Sequence, residues 1–297
     1  MNMGEVPTQD RWAAWVLERS YGGDPDEHRR RLEYLRPIRD RVLEYAKIRQ
    51  GDVVLDVGAG DGLIAFGALE RVGPSGKVLI NDISADLLSH TAQLADDLGV
   101  EDRCEFIQAS ADDLSPIPDA SVDVVTTRSV LIYLPYENKK PAFEEFHRVL
   151  RPDGRFSLFE PINRFSYPES EDVFLGYDVT PIIDLANRVK QAYGDEDESL
   201  IDFDERDLLA FAEGAGFSSI NLTLEAWIGP NEHGFMPTTW DAFLDISGNP
   251  CIPTLREAMQ SALTPEESER FEAHLRPLVE TQQSRERGAV AYLHGAK

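Results

Sequence analysis

Between residues 36 and 160 the apolar positions alternate between two periods. Arg36 to Arg49 places Ile38, Val42, Leu43, Tyr45 and Ala46 on one side, the spacing of an amphipathic helix that ends at Gly51-Asp52. Val53 to Val57 is then a short apolar strand, Gly62 to Val72 a helix stopped by Gly73-Pro74, and Lys77 to Ile83 a second strand. Ser84 opens a helix to Leu98, since its hydroxyl suits an N-cap. Further strands follow at Cys104 to Gln108, Val122 to Thr126 and Arg155 to Glu160, the last two separated by a helix from Glu137 to Leu150. Strands spaced by helices of this length predict a doubly wound, mainly parallel α/β sheet covered on both faces.

After residue 160 the pattern changes. Residues 161–204 are irregular apart from a helix near Thr180 to Tyr193. Glu205 to Gly214 reads as a helix, Phe217 to Ile228 contains a strand, 229–285 is mainly helical, and Ala289 to Leu293 is a final apolar strand. Both late strands are expected in the same sheet, which then has seven strands with helical cap insertions. The domain organisation expected is an N-terminal helical lid at 1–35, an α/β core at 36–228 and 286–297, and a helical cap at 229–285 inserted between the last two strands.

Composition narrows the chemistry. The formal net charge is −25, so a polyanion is repelled and DNA, RNA and anionic membranes are poor partners. No apolar run reaches the length of a membrane span, and the first twelve residues lack the basic start and apolar centre of a secretory signal, so a cytoplasmic protein is expected. Two cysteines, Cys104 and Cys251, are too few for a disulfide framework or a cysteine-rich metal site, and no metal is expected. Arginine outnumbers lysine 23 to 6; the arginines are spread along the chain, which favours compositional bias over an arginine-lined anion pocket.

The most informative segment runs from Val53 to Gly62, VVLDVGAGDG, a strand entering a glycine turn that opens a helix. Glycines there permit φ > 0 and close approach to a ligand, and the helix start offers unpaired N–H groups. The dinucleotide fingerprint started at Gly58 needs its third glycine where Leu63 stands. Asp56 also precedes the first glycine by two residues, where a carboxylate repels a pyrophosphate and attracts a cationic ammonium or sulfonium. Asp82, 26 residues after Asp56, ends the second strand, where an acid accepts hydrogen bonds from a ribose diol. It sits at a strand end, so its removal is expected to leave the fold intact.

From about Arg36 to Phe217 the chain resembles the class I S-adenosylmethionine-dependent methyltransferases, in their small-molecule branch. VLDVGAGDG, NDIS, ASADDLSPIPDASVDVV and LRPDGRFSLFEP resemble four family motifs in order. The resemblance implies a Rossmann-like fold, S-adenosyl-L-methionine as cofactor and in-line methyl transfer to a small-molecule acceptor. It implies Gly58 and Gly60 beside the methionine and sulfonium, Asp56 on the methionine ammonium, Asp82 on the ribose, Ile83 against the adenine face and the Ala111 N–H on the adenine ring. Ser110 stands where the family has an acid for the adenine amino group, and Asp112 is the alternative acceptor. The competing readings are an NAD(P)-dependent oxidoreductase, disfavoured by Leu63 and Asp56, and a non-catalytic S-adenosylmethionine-binding protein.

Methyl transfer from a sulfonium asks mainly for positioning and exclusion of water. Candidates for acceptor-side roles are Tyr21, Arg128, Tyr133 and His233, with Asn163 following a strand end; Glu160, His28, His147 and His274 complete the possible bases. His147 falls inside a predicted helix and reads as structural. The Asn/Asp-Pro-Pro-aromatic motif of nucleic-acid amino-methyltransferases is absent after the fourth strand, in line with the acidic charge.

Overall fold

A computed structural model describes residues 10–166, 169–194, 198–231 and 236–297. Helix α1 (Arg11–Ala14) continues as a π turn over Trp15–Arg19. Helix α2 (Pro25–Tyr45) follows, capped by Asp24, whose side chain accepts from the N–H groups of Asp26 and Glu27. With Asp24 as N-cap and Pro25 at the first helical position, the helix starts eleven residues before the periodicity at Arg36 suggests, and it runs unbroken across the 35/36 boundary. The α/β alternation is then β1 (Val53–Val57), α3 (Leu63–Val72), β2 (Lys77–Asp82), α4 (Ala85–Asp97), β3 (Cys104–Gln108), β4 (Val122–Arg128), α5 (Tyr136–Val149) and β5 (Leu150–Pro161). Downstream come α6 (Asn163–Ser166), the short strands β6 (Val173–Phe174) and β7 (Tyr177–Asp178), α7 (Ile183–Tyr193), α8 (Glu205–Gly214), β8 (Asn221–Pro230), α9 (Trp240–Asp245), α10 (Leu255–Ala262), α11 (Pro265–Glu280) and β9 (Arg285–Ala296).

The seven-stranded sheet has the order β3-β2-β1-β4-β5-β9-β8, with β1 to β5 parallel and β9 antiparallel to both neighbours. Both late strands join it, as expected, and the chain order reverses between β1 and β4, where open α/β sheets place ligands. The strands are apolar on both faces because helices cover both. Leu55, Val57, Val125, Leu158 and Phe156 pack with Phe143 and Phe146 of α5 on one side. Val54, Ile80, Val124 and Phe159 pack with Val42 and Leu43 of α2 and Ile64 and Leu69 of α3 on the other.

A third apolar cluster lies apart from the sheet. Phe174, Tyr177, Ile182, Leu185 and Val189 pack with Trp240, Phe243, Leu255, Met259, Phe271 and Leu275. The helices between β8 and β9 therefore share their core with chain that precedes β8. Buried apolar area, not order along the chain, decides which segments unite. No described helix is long and apolar enough to cross a membrane.

Candidate cofactor and acceptor cleft

The C-terminal ends of β1, β2 and β4 open into a cleft. Its floor is the turn after β1. Gly58 and Gly60 have φ of 65° and 58°, and a Cβ on Gly58 would collide with Val130. A Cβ on Gly60 would meet only Val16, at 3.9 Å, so this position borders open space. The turn is held from the next strand: the Ala59 N–H donates to the Asn81 carbonyl at 2.9 Å, and the Gly60 N–H donates to Asp82 Oδ2 at 2.9 Å.

Asp82 is 7% exposed, and its other oxygen accepts the Ser84 N–H at 2.9 Å. Burial pushes its pKa up, against the lowering by these two N–H groups. Its carboxylate thus supports the glycine turn as well as lining the cleft, so the expectation that its removal leaves the fold untouched is revised. Asn81, also in the cleft wall, donates its amide to the carbonyls of Ile107 and Ala109 at 3.1 and 3.0 Å. Those two bonds orient the amide and leave Oδ1 buried without a protein partner. Ile83, 45% exposed, Ser110 and Ala111 complete this end. Asp112 is not in the wall; it accepts the Ser110 hydroxyl, which uses the serine's proton and leaves its lone pairs toward the cleft.

Asp56 lies behind the turn and is not among the cleft-lining residues. It sits beside Thr126 in the sheet and accepts that hydroxyl at 2.8 Å. Burial raises its pKa to about 7, while the Thr126 hydroxyl, the Arg128 charge and the Ala65 N–H lower it. Ala65 is in the first turn of α3, so the carboxylate faces a helix start. Its Oδ2 has no hydrogen-bond partner.

The opposite wall comes from β4 and from the N-terminal segment. Arg128, Ser129, Val130 and Tyr133 line it, with Trp12, Trp15 and Val16. Tyr133 meets Trp12 and Trp15 edge-on, with ring centroids 5.0 and 6.1 Å apart, and burial raises the pKa of its phenol. The segment is tied down at both ends. Asp10 accepts the Ser84 hydroxyl at 2.6 Å and caps α1, while Trp15 Nε1 donates to the Ser247 carbonyl at 2.8 Å. It therefore bridges the Asp82 side of the cleft to the helices of the third cluster.

The turn Leu131–Tyr133 is clamped from two sides. Glu160 accepts the N–H groups of Val130, Leu131 and Ile132 at 2.9, 3.0 and 3.4 Å, and burial raises its pKa to about 7. Its oxygens serve that backbone, which removes it as a candidate base. Lys139, fully buried, donates to the carbonyls of Leu131 and Leu134 and pairs with Asp202 at 3.0 Å.

Of the residues singled out from sequence, Gly58, Gly60, Asp82, Ile83, Ser110, Ala111, Arg128 and Tyr133 meet in this cleft. Tyr21 does not line it: its hydroxyl donates to the Leu17 carbonyl and its ring stacks on His28, centroids 4.5 Å apart. No described histidine lines it either, and Asn163 begins α6 outside it; His233 lies outside the described residues. Trp12, Trp15, Val16 and Asn81 were missed. Asn81 stood next to Asp82 in the motif, but nothing local says that its amide turns inward. The tryptophans offered one signal, large apolar side chains in an otherwise polar segment.

A family profile described as a methyltransferase domain matches residues 54–154. The ubiquinone/menaquinone biosynthesis C-methyltransferase UbiE of Hahella chejuensis is 38% identical over 138 residues, 46% of this chain and 53% of that protein. UbiE of Escherichia fergusonii is 31% identical over 192 residues, 61% of this chain and 74% of that protein. The chain spans about half the length of the first curated relatives it matches. A solved geranyl diphosphate methyltransferase in complex with SAM has the same fold, with a TM-score of 0.52 at 16% identity over 94% of each chain. A glycine turn joined to a strand-end acid, the seven-strand order and the extent of the UbiE match together make this chain a member of the class I S-adenosyl-L-methionine-dependent methyltransferases.

Proposed function

We propose that the protein transfers a methyl group from S-adenosyl-L-methionine to a small-molecule acceptor. One observation carries the reading: at the end of β2, the Asp82 carboxylate offers acceptors to a sugar beside a glycine turn open to the cavity. The cofactor supplies a methyl already activated on sulfur. Asp82 accepts from the ribose hydroxyls with lone pairs left over after its two N–H contacts. Ile83 packs on the adenine, and Ala111 and Ser110 bind its edge. Gly58 and Gly60 let the methionine chain lie against backbone, with Asp56 setting the turn from behind and favouring a cation above it. Trp12, Trp15 and Tyr133 exclude water over the reacting atoms, which raises the effect of positioning. The acidic surface supports a cytoplasmic enzyme without a nucleic-acid partner.

Calorimetric titration with S-adenosylhomocysteine and with NAD tests the reading. Saturable binding of S-adenosylhomocysteine and none of NAD is expected. The reverse result would overturn it in favour of an oxidoreductase. Transfer of a labelled methyl group to a small-molecule extract separates an enzyme from a protein that only binds the cofactor.

A further inference from the structure

The cleft wall holds an arginine that no described carboxylate touches, with Asp56 acting on it only through its charge. Many arginines of the fold have carboxylates within 4 Å, as Arg148 has with Glu145 and Asp119, Arg188 with Glu267, and Arg256 with Asp245. With 54 acidic residues in the chain, partners are plentiful. Arg128 ends β4 in the cleft wall, yet its guanidinium has no hydrogen bond or ion pair among the described residues. The chain turns sharply after it: Ser129 has φ 55° and donates its N–H to the Phe159 carbonyl at 2.9 Å. That bend keeps both Arg128 and Val130 in the cavity wall.

A second arginine stands close behind. Arg31 of α2 lies over the Trp15 ring, 5.9 Å from its centroid, and donates to the Ser20 carbonyl at 3.4 Å. Burial and the nearby Arg128 charge lower its pKa to about 10, against the opposing influence of Asp61. The two guanidiniums repel each other, and an anion held by Arg128 at the cleft wall offsets that repulsion. A planar guanidinium matches a carboxylate in shape and number of donors. The adjoining wall of Trp12, Trp15 and Tyr133 suits a flat apolar body.

We propose that Arg128, backed by Arg31, recognises an acid group on the methyl acceptor, so the acceptor class is a ring-bearing or unsaturated carboxylic acid. This rests on the methyltransferase reading above. The other carboxylate in reach chemically is the methionine carboxylate of the cofactor, and the test separates the two. The local charge also answers the net charge of −25, which otherwise disfavours an anionic substrate.

The full chain saturated with S-adenosylhomocysteine is titrated calorimetrically with cinnamate and with cinnamamide, which differ in the acid group alone. Cinnamate is expected to bind at least about tenfold more tightly, the scale of one charge-assisted contact. Arg128→Gln should erase that preference and Arg128→Lys should keep part of it, each with S-adenosylhomocysteine affinity within about twofold of the parent. Equal binding of the two probes, or binding of neither, overturns the proposal. So does a loss of S-adenosylhomocysteine affinity in Arg128→Gln as large as the loss for cinnamate, which would assign the guanidinium to the cofactor. A parent that fails to bind S-adenosylhomocysteine at all sinks the methyltransferase reading beneath it, a separate and visible result.

Discussion

At the residue scale, Asp82 joins binding to stability. Asp82→Ala removes a carboxylate proposed to accept from two ribose hydroxyls, each such bond being worth about 1.5–3 kcal/mol before water replaces part of it. The dissociation constant of S-adenosylhomocysteine is expected to rise roughly 30- to 1000-fold by calorimetry. The same change strips the Gly60 and Ser84 N–H groups of their acceptor, so the ligand-free melting temperature should also fall. Asp82→Asn should lose less of both, because its amide oxygen still accepts. The ligand role proposed for Asp82 is readable from its place at a strand end; its structural role is not, because the N–H of Gly60 reaches it only through the folded turn. Asp56 gives a pH dependence. Its folded pKa of about 7 lies above an ordinary carboxylate value of 3.8, so the folded state holds a proton that the unfolded chain has already lost. The stability this contributes is full below about pH 4 and is lost as pH rises toward 7. The slope is on the order of 1 kcal/mol per pH unit. Urea melts across pH 4.5 to 8 should therefore show the parent losing stability with pH faster than Asp56→Asn does. Parallel curves would show that Asp56 is ionised throughout.

At the scale of elements, the turn after β4 is held as a unit by groups distant in sequence. Glu160 ends β5 and satisfies three N–H groups at its start, and Lys139 of α5 satisfies carbonyls at its end. Lys139→Met leaves those carbonyls and Asp202 without their charge partner. Breaking a buried pair from one side costs about 3–5 kcal/mol, and a loss of unfolding free energy of that size is expected from urea melts. The strands and helices of the core were visible as alternating periods along the chain. The clamp was not, because Glu160 and Lys139 read as an ordinary strand-end acid and a helix-surface lysine until the loop closes over them. The start of α2 at Pro25 was written in Asp24-Pro25, a cap and first-turn signal that outweighs the interior Pro37.

For the molecule as a whole, the surface charge and the assembly of the third apolar cluster matter most. A net charge of −25 opposes compaction through self-repulsion, which salt screens within about 8–10 Å at near-physiological ionic strength. The melting temperature is expected to rise with sodium chloride from about 20 to 500 mM, and the protein should retain neither DNA nor RNA in a gel-shift assay. A melting temperature that falls with salt would point to stabilising ion pairs, such as Arg188–Glu267, outweighing the repulsion. The N-terminal segment, β6 to α7 and α9 to α11 converge over the same end of the sheet, linked by Trp15 to Ser247 and Arg19 to Glu257.

Sequence by itself determined the α/β alternation, the glycine turn of Gly58 and Gly60, Asp82 at its strand end, and from these the family and its cofactor. Those features are local: a period of two or 3.6, a φ that glycine tolerates, and a residue's place after a strand all read along a few residues. Tertiary structure alone decided that Trp12 and Trp15 face the cleft, that Arg31 feels the charge of Arg128, that Asp56 turns toward Thr126 and α3, and that the helices after β8 share a core with chain before it. Each of these joins side chains tens to more than a hundred residues apart. Their meeting is set by which apolar faces the closed fold buries together, a sum over the whole chain that no local spacing records.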